Sequence, residues 1–348
     1  MKIALITLIA LTFLSCEKFE TSANTDAFYH VSSAGFELPV WIKGNTASNK
    51  FVVFINGGPG LTSIDIASAD MLGWGESLEK EFAMVYYDQR GTGNAQGAIP
   101  DESITIEQYL DDLEAVISSV LHHYPSAKIF LMGHSFGGFI GQSFLLDSNR
   151  QAMIQGWINI NGSTIVDSDK EWQFRLQFLT ELAEEKMSED SEKWGKALEW
   201  VENNDPITTT QQKEEWRGFI GHAGDGVIPE ENTNLSGKGL LSIVFSSSYN
   251  IFPAYLSSNG TKVGELLFEN IKGTDLLPEL YNIKLPSLML WGKYDDIIPP
   301  QLGSTAFDAL GTNLDEKEFV LFEKSGHQPF LNEIELFEST VIKFVNEH

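Results

Sequence analysis

The sequence has few basic residues relative to acidic ones. It contains 23 Lys and Arg against 49 Asp and Glu, which gives a formal net charge of −26 at pH 7. Proteins that bind nucleic acid or anionic lipid surfaces rely on Lys and Arg near phosphate groups. We therefore expect neither nucleic acid nor a bare membrane surface as a partner. Hydrophobic residues make up 42% of the chain and charged residues 21%, which is typical of a globular protein.

Cysteine is almost absent, and the one cysteine present, Cys16, ends an N-terminal apolar segment. Lys2 precedes an apolar run at residues 3–14, which is too short to span a bilayer but suits a signal peptide. The ending "FLSC" resembles the lipobox of bacterial lipoproteins. We predict a signal peptide at 1–15, a lipid on Cys16 and a polar tether at 16–27. A plain secretory signal that contains a cysteine is the alternative.

The lipoprotein interpretation predicts where in the cell the chain is found, and the single cysteine excludes stabilisation by a disulfide within the chain. The chain would be held by lipid at the bacterial cell envelope, on the periplasmic or outer-surface side, and would contact membrane through the anchor alone. With one cysteine no disulfide can form within the chain, so stability must come from the core.

Buried β-type segments alternate with helical segments along most of the chain. This alternation predicts an α/β fold with a mostly parallel sheet covered by helices on both faces. One such helix is expected to start after Thr105, a capping residue type. Residues 163–284 break the alternation with acidic helical segments, and we predict a helical cap insertion there. The core is then formed by 28–162 and 285–348.

The segment "GHSFGG" follows the apolar run "KIFLM" and places Ser135 between glycines. The pattern G-x-S-x-G between a strand and a helix is typical of a nucleophile elbow. A glycine turn with an incidental serine is the alternative. His134 adjoins the serine and is expected to be a packed histidine that points elsewhere.

A nucleophilic serine needs a base, and the base needs an acid that orients it. His327 follows the last buried segment and is the candidate base, whereas the other histidines are less well placed. Asp295, which follows another buried segment, is the candidate acid, and Asp296 is expected to cap the turn. The order Ser135, Asp295, His327 is that of α/β-hydrolases.

Acyl transfer also requires N–H groups that stabilise an oxyanion. The backbone N–H of Phe136 is one candidate, and that of Gly58, in "NGGPG", is the other. A tight loop that binds no ligand is the alternative interpretation of this segment. No metal-ligand cluster and no dinucleotide fingerprint is visible in the sequence, so we expect no metal and no cofactor.

The segments "GGPG" and "DQRGTG", the serine elbow and the late Asp and His together resemble the prolyl-aminopeptidase (proline iminopeptidase) branch of the α/β-hydrolases. The resemblance covers about 28–162 and 285–348. It implies an α/β-hydrolase fold and a serine peptidase that removes N-terminal residues from small peptides through an acyl-enzyme. Three positions depart from the family: Asn56 replaces a usual histidine, Ala95 a usual serine, and the elbow is the version that general esterases carry.

The family holds the substrate's amino group with carboxylates of its cap. The segment "EWVENND" faintly resembles the Trp-rich motif before those carboxylates, which makes Glu199 and Glu202 candidates; a solvated helix face is the alternative. The substrate would be a small molecule or a peptide. A carboxylesterase or lactonase of the same fold remains open, as does a lipoprotein that binds ligand without turnover. The sequence does not indicate an oligomeric state.

Overall fold

A computed structural model of the chain describes residues 18–220 and 259–348, apart from residues 60, 69, 71 and 98. The predicted signal peptide and Cys16 lie outside the described residues. Among the helices that are described, none is long and apolar enough to cross a membrane.

Eight strands form one sheet in the order β1-β2-β4-β3-β5-β6-β7-β8. The strands β1, β2 and β4 pair antiparallel, and the pairs from β4 through β3, β5, β6 and β7 to β8 are parallel. The predicted α/β fold with a mostly parallel sheet is confirmed. The strands are β1 Thr25–Ser33, β2 Phe36–Gly44, β3 Lys50–Ile55, β4 Ala83–Tyr87, β5 Lys128–His134, β6 Gly156–Ile160, β7 Ser287–Gly292 and β8 Lys317–Phe322.

The helices follow the strands in the alternation that the sequence predicts. They are α1 Ser63–Ser68, α2 Leu78–Glu81, α3 Ile106–His123, α4 Phe136–Leu145, α5 Ser148–Gln151, α6 Asp169–Lys186, α7 Ser191–Asn203, α8 Thr210–Ile220, α9 Asn259–Ile271, α10 Pro300–Ala309, α11 Pro329–Asn332 and α12 Ile334–Glu347. Short 3₁₀ helices occur at Thr46–Ser48, Trp74–Glu76, Asp101–Ser103 and Leu277–Asn282. The predicted cap at Thr105 is confirmed, because its side chain accepts the N–H of Gln108 at 3.3 Å.

Apolar side chains cover both faces of the sheet. One cluster joins alternate strand residues such as Val53 to helices α3, α4, α9 and α10. The other joins the intervening residues, such as Phe54, to α1, α2 and α12. Because both faces are buried, the central strands carry runs of consecutive apolar residues, such as residues 51–55 of β3, rather than apolar residues at alternate positions.

The core begins earlier than residue 28, which corrects the predicted tether at 16–27. β1 starts at Thr25 and pairs with β2 along its whole length. The N–H of Ser22 donates to Thr46 Oγ1 at 2.8 Å. The backbone N–H and C=O groups along β2 find partners when another strand pairs with it, and residues 25–33 supply that strand. Residues 25–27 therefore belong to the sheet and not to the tether.

Helices α6, α7 and α8 pack on one another around Trp172, Leu179, Trp194 and Trp216, which form an apolar cluster separate from the two sheet clusters. We call these three helices the cap. Both ends of the predicted insertion 163–284 belong to the sheet core instead, since Ile165 and Leu280 are among the residues of the first sheet cluster. Part of the predicted insertion, residues 221–258, lies outside the described residues.

Candidate active site

Ser135 lies at the junction of β5 and α4 in a strained conformation, with φ 56° and ψ −118°. The glycines around it are packing requirements. A Cβ on Gly133 would lie 2.4 Å from the carbonyl oxygen of Gly137, and a Cβ on Gly137 would lie 1.9 Å from that of Ile55. Strand and helix approach too closely here for any side chain but hydrogen, and the strain exposes the serine hydroxyl at the sheet edge.

Asp295 and His327 meet beyond the ends of β7 and β8. The Nδ1–H of His327 donates to Asp295 Oδ2 at 2.9 Å, and Asp295 is fully buried. Asn161 also donates to Oδ2. A buried carboxylate that accepts several N–H groups is held in one position, and it orients the imidazole through Nδ1. The structure thus brings the predicted acid and base together.

Ser135 reaches the same end of the sheet through β5. Among the hydrogen bonds of the described residues, none joins Ser135 Oγ to His327. Such a bond is often long in an active site without substrate and shortens when substrate binds.

The turn after β7 is capped by Asp295, not by Asp296 as expected. Asp295 Oδ1 accepts the N–H groups of Ile297 and Ile298, both at 2.9 Å. The carboxylate that orients the base therefore also holds its own loop. Burial raises the pKa of Asp296 to about 6, and the neighbouring Asp295 adds to the rise.

His134 braces the loop that carries the base. Burial lowers the pKa of His134 to about 3, so its ring is neutral, and its Nε2–H donates to the carbonyl oxygen of His327 at 2.9 Å. The residue before the nucleophile thus contacts the backbone of the base. The sequence predicts a packed histidine that points elsewhere; the ring is buried but points to His327. Only the position next to Ser135 could have indicated this contact.

The loop after β3 lies beside the nucleophile. Gly58, with φ 118°, and Phe136 line one cavity together with Ser135. Asn56 shapes the loop, since its Oδ1 accepts the N–H of Gly57 at 2.8 Å and its Nδ2 donates to the carbonyl of Thr62 at 3.0 Å. Both residues whose N–H groups are the predicted oxyanion donors thus border the same cavity as Ser135.

The segment "DQRG", in the loop after β4, is hydrogen-bonded to the loop after β3. Asp88 is fully buried and accepts the N–H groups of Ser63 and Ile64 at 2.7 and 3.1 Å and the hydroxyl of Thr62 at 2.9 Å. Gln89 Nε2 donates to the carbonyl of Asn56 at 3.2 Å. Burial raises the pKa of Asp88 despite these donors. The motif was visible in the sequence, but its contacts were not.

The cavity at Ser135 has a volume of about 270 Å³ and is lined by both core and cap. Its charged lining residues are Asp167, Glu171, Arg175 and Arg217. Glu171 is 8% exposed and binds Arg175 at 2.7 Å, and Asp167 pairs with Lys213 at 3.0 Å. Each carboxylate of the lining is therefore paired with a cation.

Glu199 and Glu202 do not belong to this cavity. Both are exposed on α7, and neither is among the residues that line the space at Ser135. Among the described residues, Glu171 of α6 is the cap carboxylate that lines the cavity, and the predicted Glu199 and Glu202 do not line it. No motif in the sequence marks Glu171, since its place at the cavity depends on how α6 lies over the sheet.

Within residues 18–220 and 259–348 no group of three or more His, Cys, Asp or Glu side chains is arranged to hold a metal ion.

Comparisons with known proteins identify the fold family. A family model described as alpha/beta hydrolase fold matches residues 50–334. The protein named probable aminopeptidase YbaC, from Bacillus subtilis (strain 168), is 24% identical over 312 residues, which are 88% of this chain and 92% of that protein. The proline iminopeptidase of Saccharolobus solfataricus is 23% identical over 302 residues, 86% of each chain.

Solved structures show the same fold. A proline iminopeptidase of Mycobacterium smegmatis superposes with a TM-score of 0.58 at 17% identity, covering 92% of this chain and 98% of that one. The esterase EaEST of Exiguobacterium antarcticum gives a TM-score of 0.57 at 17% identity, covering 92% and 100%. The chain belongs to the α/β-hydrolase fold family, is a hydrolase, and resembles the proline iminopeptidase branch of that family.

Proposed function

We propose that the chain is a serine hydrolase that works through an acyl-enzyme. Ser135 Oγ attacks the substrate carbonyl carbon while Nε2 of His327 takes the hydroxyl proton. His327 then gives that proton to the leaving group, and water, activated by the same imidazole, cleaves the acyl-enzyme. The observation that carries the proposal is the bond between His327 Nδ1 and buried Asp295 at 2.9 Å, at the end of the sheet where Ser135 borders a cavity.

The N–H groups of Gly58 and Phe136 would stabilise the oxyanion of the tetrahedral intermediate. Each such donor typically contributes a factor of about 10²–10³ in kcat. A role without catalysis, as a ligand-binding lipoprotein, fits less well, because it leaves the strained serine and the oriented histidine unexplained.

For the substrate we propose the N-terminal residue of small peptides, as in a proline iminopeptidase. Two relatives that align with 88% and 86% of the chain carry the names probable aminopeptidase and proline iminopeptidase. Glu171, at the cavity, is the carboxylate that would accept a charge-assisted hydrogen bond from the substrate's α-ammonium group.

A carboxylesterase is the second candidate, with a lactonase as a variant of it. The observation that favours it is the pairing of Glu171 with Arg175 through two N–H groups, at 2.7 and 3.1 Å. A substrate amine would have to share that carboxylate with a guanidinium group. An ester needs no carboxylate in the pocket.

A substrate panel separates the two candidates. Purified protein is assayed with proline naphthylamide, alanine naphthylamide, the N-acetyl form of each and p-nitrophenyl acetate, with Ser135→Ala as the blank. If the amine is bound by Glu171, acetylation lowers kcat/KM by about 10–100-fold, since a hydrogen bond to a charged group contributes about 1.5–3 kcal/mol and Glu171 keeps Arg175 as its partner.

Each outcome has one meaning. Equal rates on free and acetylated amides, or turnover of the ester alone, replace the aminopeptidase proposal by the esterase and leave Ser135 in place. Turnover by Ser135→Ala that matches the wild type overturns the serine mechanism itself.

A further inference from the structure

We infer that Arg175, on the cap helix α6, is a positioning residue that holds the acid Asp295 in place through two peptide groups of the loop after β7. The inference rests on the proposed function, because it assumes that Asp295 orients the base. It assigns to the cap a part in catalysis in addition to covering the cavity.

The loop after Asp295 is held from both sides. Arg175 Nη1 donates to the carbonyl oxygen of Asp296 and Nη2 to that of Ile297, both at 2.7 Å. The N–H groups of the same two peptide units, at Ile297 and Ile298, donate to Asp295 Oδ1 at 2.9 Å. A cation thus faces the two carbonyl oxygens, and an anion faces the two N–H groups.

This alignment strengthens every bond in the set. A trans peptide group is planar, with its C=O and N–H pointing in opposite directions, so both dipoles lie along the line from guanidinium to carboxylate. The guanidinium polarises the peptides and makes their N–H groups better donors to Asp295. With Oδ1 held in this way, Oδ2 of Asp295 remains directed at His327.

Arg175 is itself fixed in this position. Its side chain is 14% exposed and binds Glu171, while its guanidinium carbon lies 5.1 Å from the ring centre of Trp172 and 5.4 Å from that of Trp216. A planar fork with five donors can serve a carboxylate and two carbonyl groups at once, whereas the three donors of a lysine sit on a single nitrogen. The contact therefore requires arginine rather than positive charge alone.

The consequence for catalysis concerns kcat. If the loop moves, Asp295 loses its fixed direction and His327 its orientation, but the pocket that binds substrate keeps its other walls. A misplacement of about 1 Å in a catalytic group can cost about 10² in rate. We expect Arg175→Ala to lower kcat by about 10–100-fold while KM changes by less than about threefold.

The experiment compares Arg175→Ala, Arg175→Lys and the control Lys193→Ala. Lys193 is also a cap cation; it lies 4.2 Å from the ring centre of Trp194, on α7, and is not among the residues that line the cavity. The measurements are kcat and KM with p-nitrophenyl acetate, which has no amine, and the labelling rate of Ser135 by a fluorophosphonate. Each is repeated with methylguanidinium and with methylammonium, since Arg175 borders an open cavity.

The expected result has three parts. Arg175→Ala and Arg175→Lys both lose kcat and labelling rate, and Lys193→Ala stays within about twofold of the wild type. Methylguanidinium restores much of the rate of Arg175→Ala, and methylammonium does not. A merely structural role for Arg175 would show no such selective rescue.

Several outcomes overturn the inference. They are wild-type kcat in Arg175→Ala, wild-type kcat in Arg175→Lys, an equal loss in Lys193→Ala, or equal rescue by the two cations. If Arg175→Ala does not fold, Arg175→Lys decides by its kcat alone. Failure of the proposed serine mechanism is recognised separately, because Ser135→Ala would then still be labelled by the fluorophosphonate at the wild-type rate.

Discussion

Two neighbouring aspartates at the carboxyl ends of the strands have different proposed roles. Asp295 binds the base, and Asp296 does not contact it through any hydrogen bond of the described residues. We expect Ser135→Ala to lower kcat by about 10⁶ and Asp295→Asn by about 10⁴, because the asparagine would favour the wrong imidazole tautomer. Steady-state kinetics on the best substrate of the panel measures both.

Asp296→Asn is the matched control for this prediction, since it changes the adjacent carboxyl in the same way. It should lower kcat far less than Asp295→Asn. If Asp296→Asn is the crippling change and Asp295→Asn is mild, the acid has been assigned one residue too early.

The raised pKa of Asp296 predicts how the free energy of unfolding depends on pH. Burial raises its pKa to about 6 from 3.8, so the folded state prefers the protonated form. The stabilising contribution is present below about pH 4 and is lost as pH rises through about 6. Asp296→Asn should therefore raise the free energy of unfolding relative to the wild type above pH 6, by about 3 kcal/mol at most.

Urea unfolding of both proteins between pH 4 and 8 measures that difference. The control is Asp315→Asn, which removes an exposed carboxyl. A difference between Asp296→Asn and the wild type that stays constant across this pH range would contradict the predicted shift.

Between elements, the approach of β5, α4 and β3 limits what can occupy the elbow. A Cβ on Gly137 would lie 1.9 Å from the carbonyl oxygen of Ile55, which is backbone and cannot rotate away. We expect Gly137→Ala to destabilise the fold by about 3 kcal/mol or more. The measurement is the urea midpoint.

Gly195→Ala is the control for that substitution. Gly195 lies within α7, and a Cβ there would meet nothing within 4 Å. The alanine should stabilise the helix by about 0.5–1 kcal/mol. Equal effects of the two alanines would show that the close approach at the elbow is not what limits Gly137.

The loop after β3 and the loop after β4 are joined at Asp88. Both oxygens of Asp88 accept hydrogen bonds, Oδ1 from Thr62, Ser63 and Ile64 and Oδ2 from Asn94. An asparagine sets its NH₂ group against donors in either orientation, so Asp88→Asn should displace the loops that it joins, including the one that carries Gly58. We expect kcat to fall by about 10²-fold, the size of losing one oxyanion donor. A thionoester carries sulfur in place of the carbonyl oxygen, and sulfur is a weak hydrogen-bond acceptor. An intact oxyanion site therefore favours the ester over its thionoester, and this preference should fall in Asp88→Asn.

The control is Glu79→Gln, which changes a buried carboxyl that binds Tyr86 at 2.9 Å, away from the site. It should lower stability without changing the ratio of ester to thionoester rates. Retention of the wild-type ratio in Asp88→Asn would show that the oxyanion loop does not depend on Asp88.

At the scale of the whole molecule, the net charge of −26 does not describe the cavity. The described lining at Ser135 carries two carboxylates, Asp167 and Glu171, and two guanidinium groups, Arg175 and Arg217. The excess of acid is spread over the rest of the chain, where it favours solubility. Its sign therefore gives no information on the charge of the substrate.

The N-terminal segment concerns where the molecule works, and we propose that it is anchored by lipid on Cys16. One acyl chain binds membranes only weakly, so stable attachment requires more than one chain. Cys16→Ser should release the protein from membranes or leave the signal uncleaved. Membrane fractionation and mass spectrometry of the N-terminus measure this. Recovery of the wild-type chain in the cytosol, starting at Met1, would exclude the anchor.

Local pattern was sufficient to predict the fold and to nominate Ser135, Asp295 and His327. The serine elbow is a strand, a tight turn and a helix within one stretch of chain, and each nominated residue follows an apolar strand. Parallel strands bring their carboxyl ends to the same edge, so residues that are distant in sequence could be placed together without knowing any contact between them.

The tertiary structure alone decided which residues support them. The clamp on Asp295 comes from Arg175, and the brace on His327 from His134, in each case across more than a hundred residues of chain. Glu171 replaced Glu199 and Glu202 because the orientation of α6 over the sheet determines which face meets the cavity. Amphipathic patterns predict that a helix buries one face, but they do not specify the surface against which it packs, because apolar contact is non-directional.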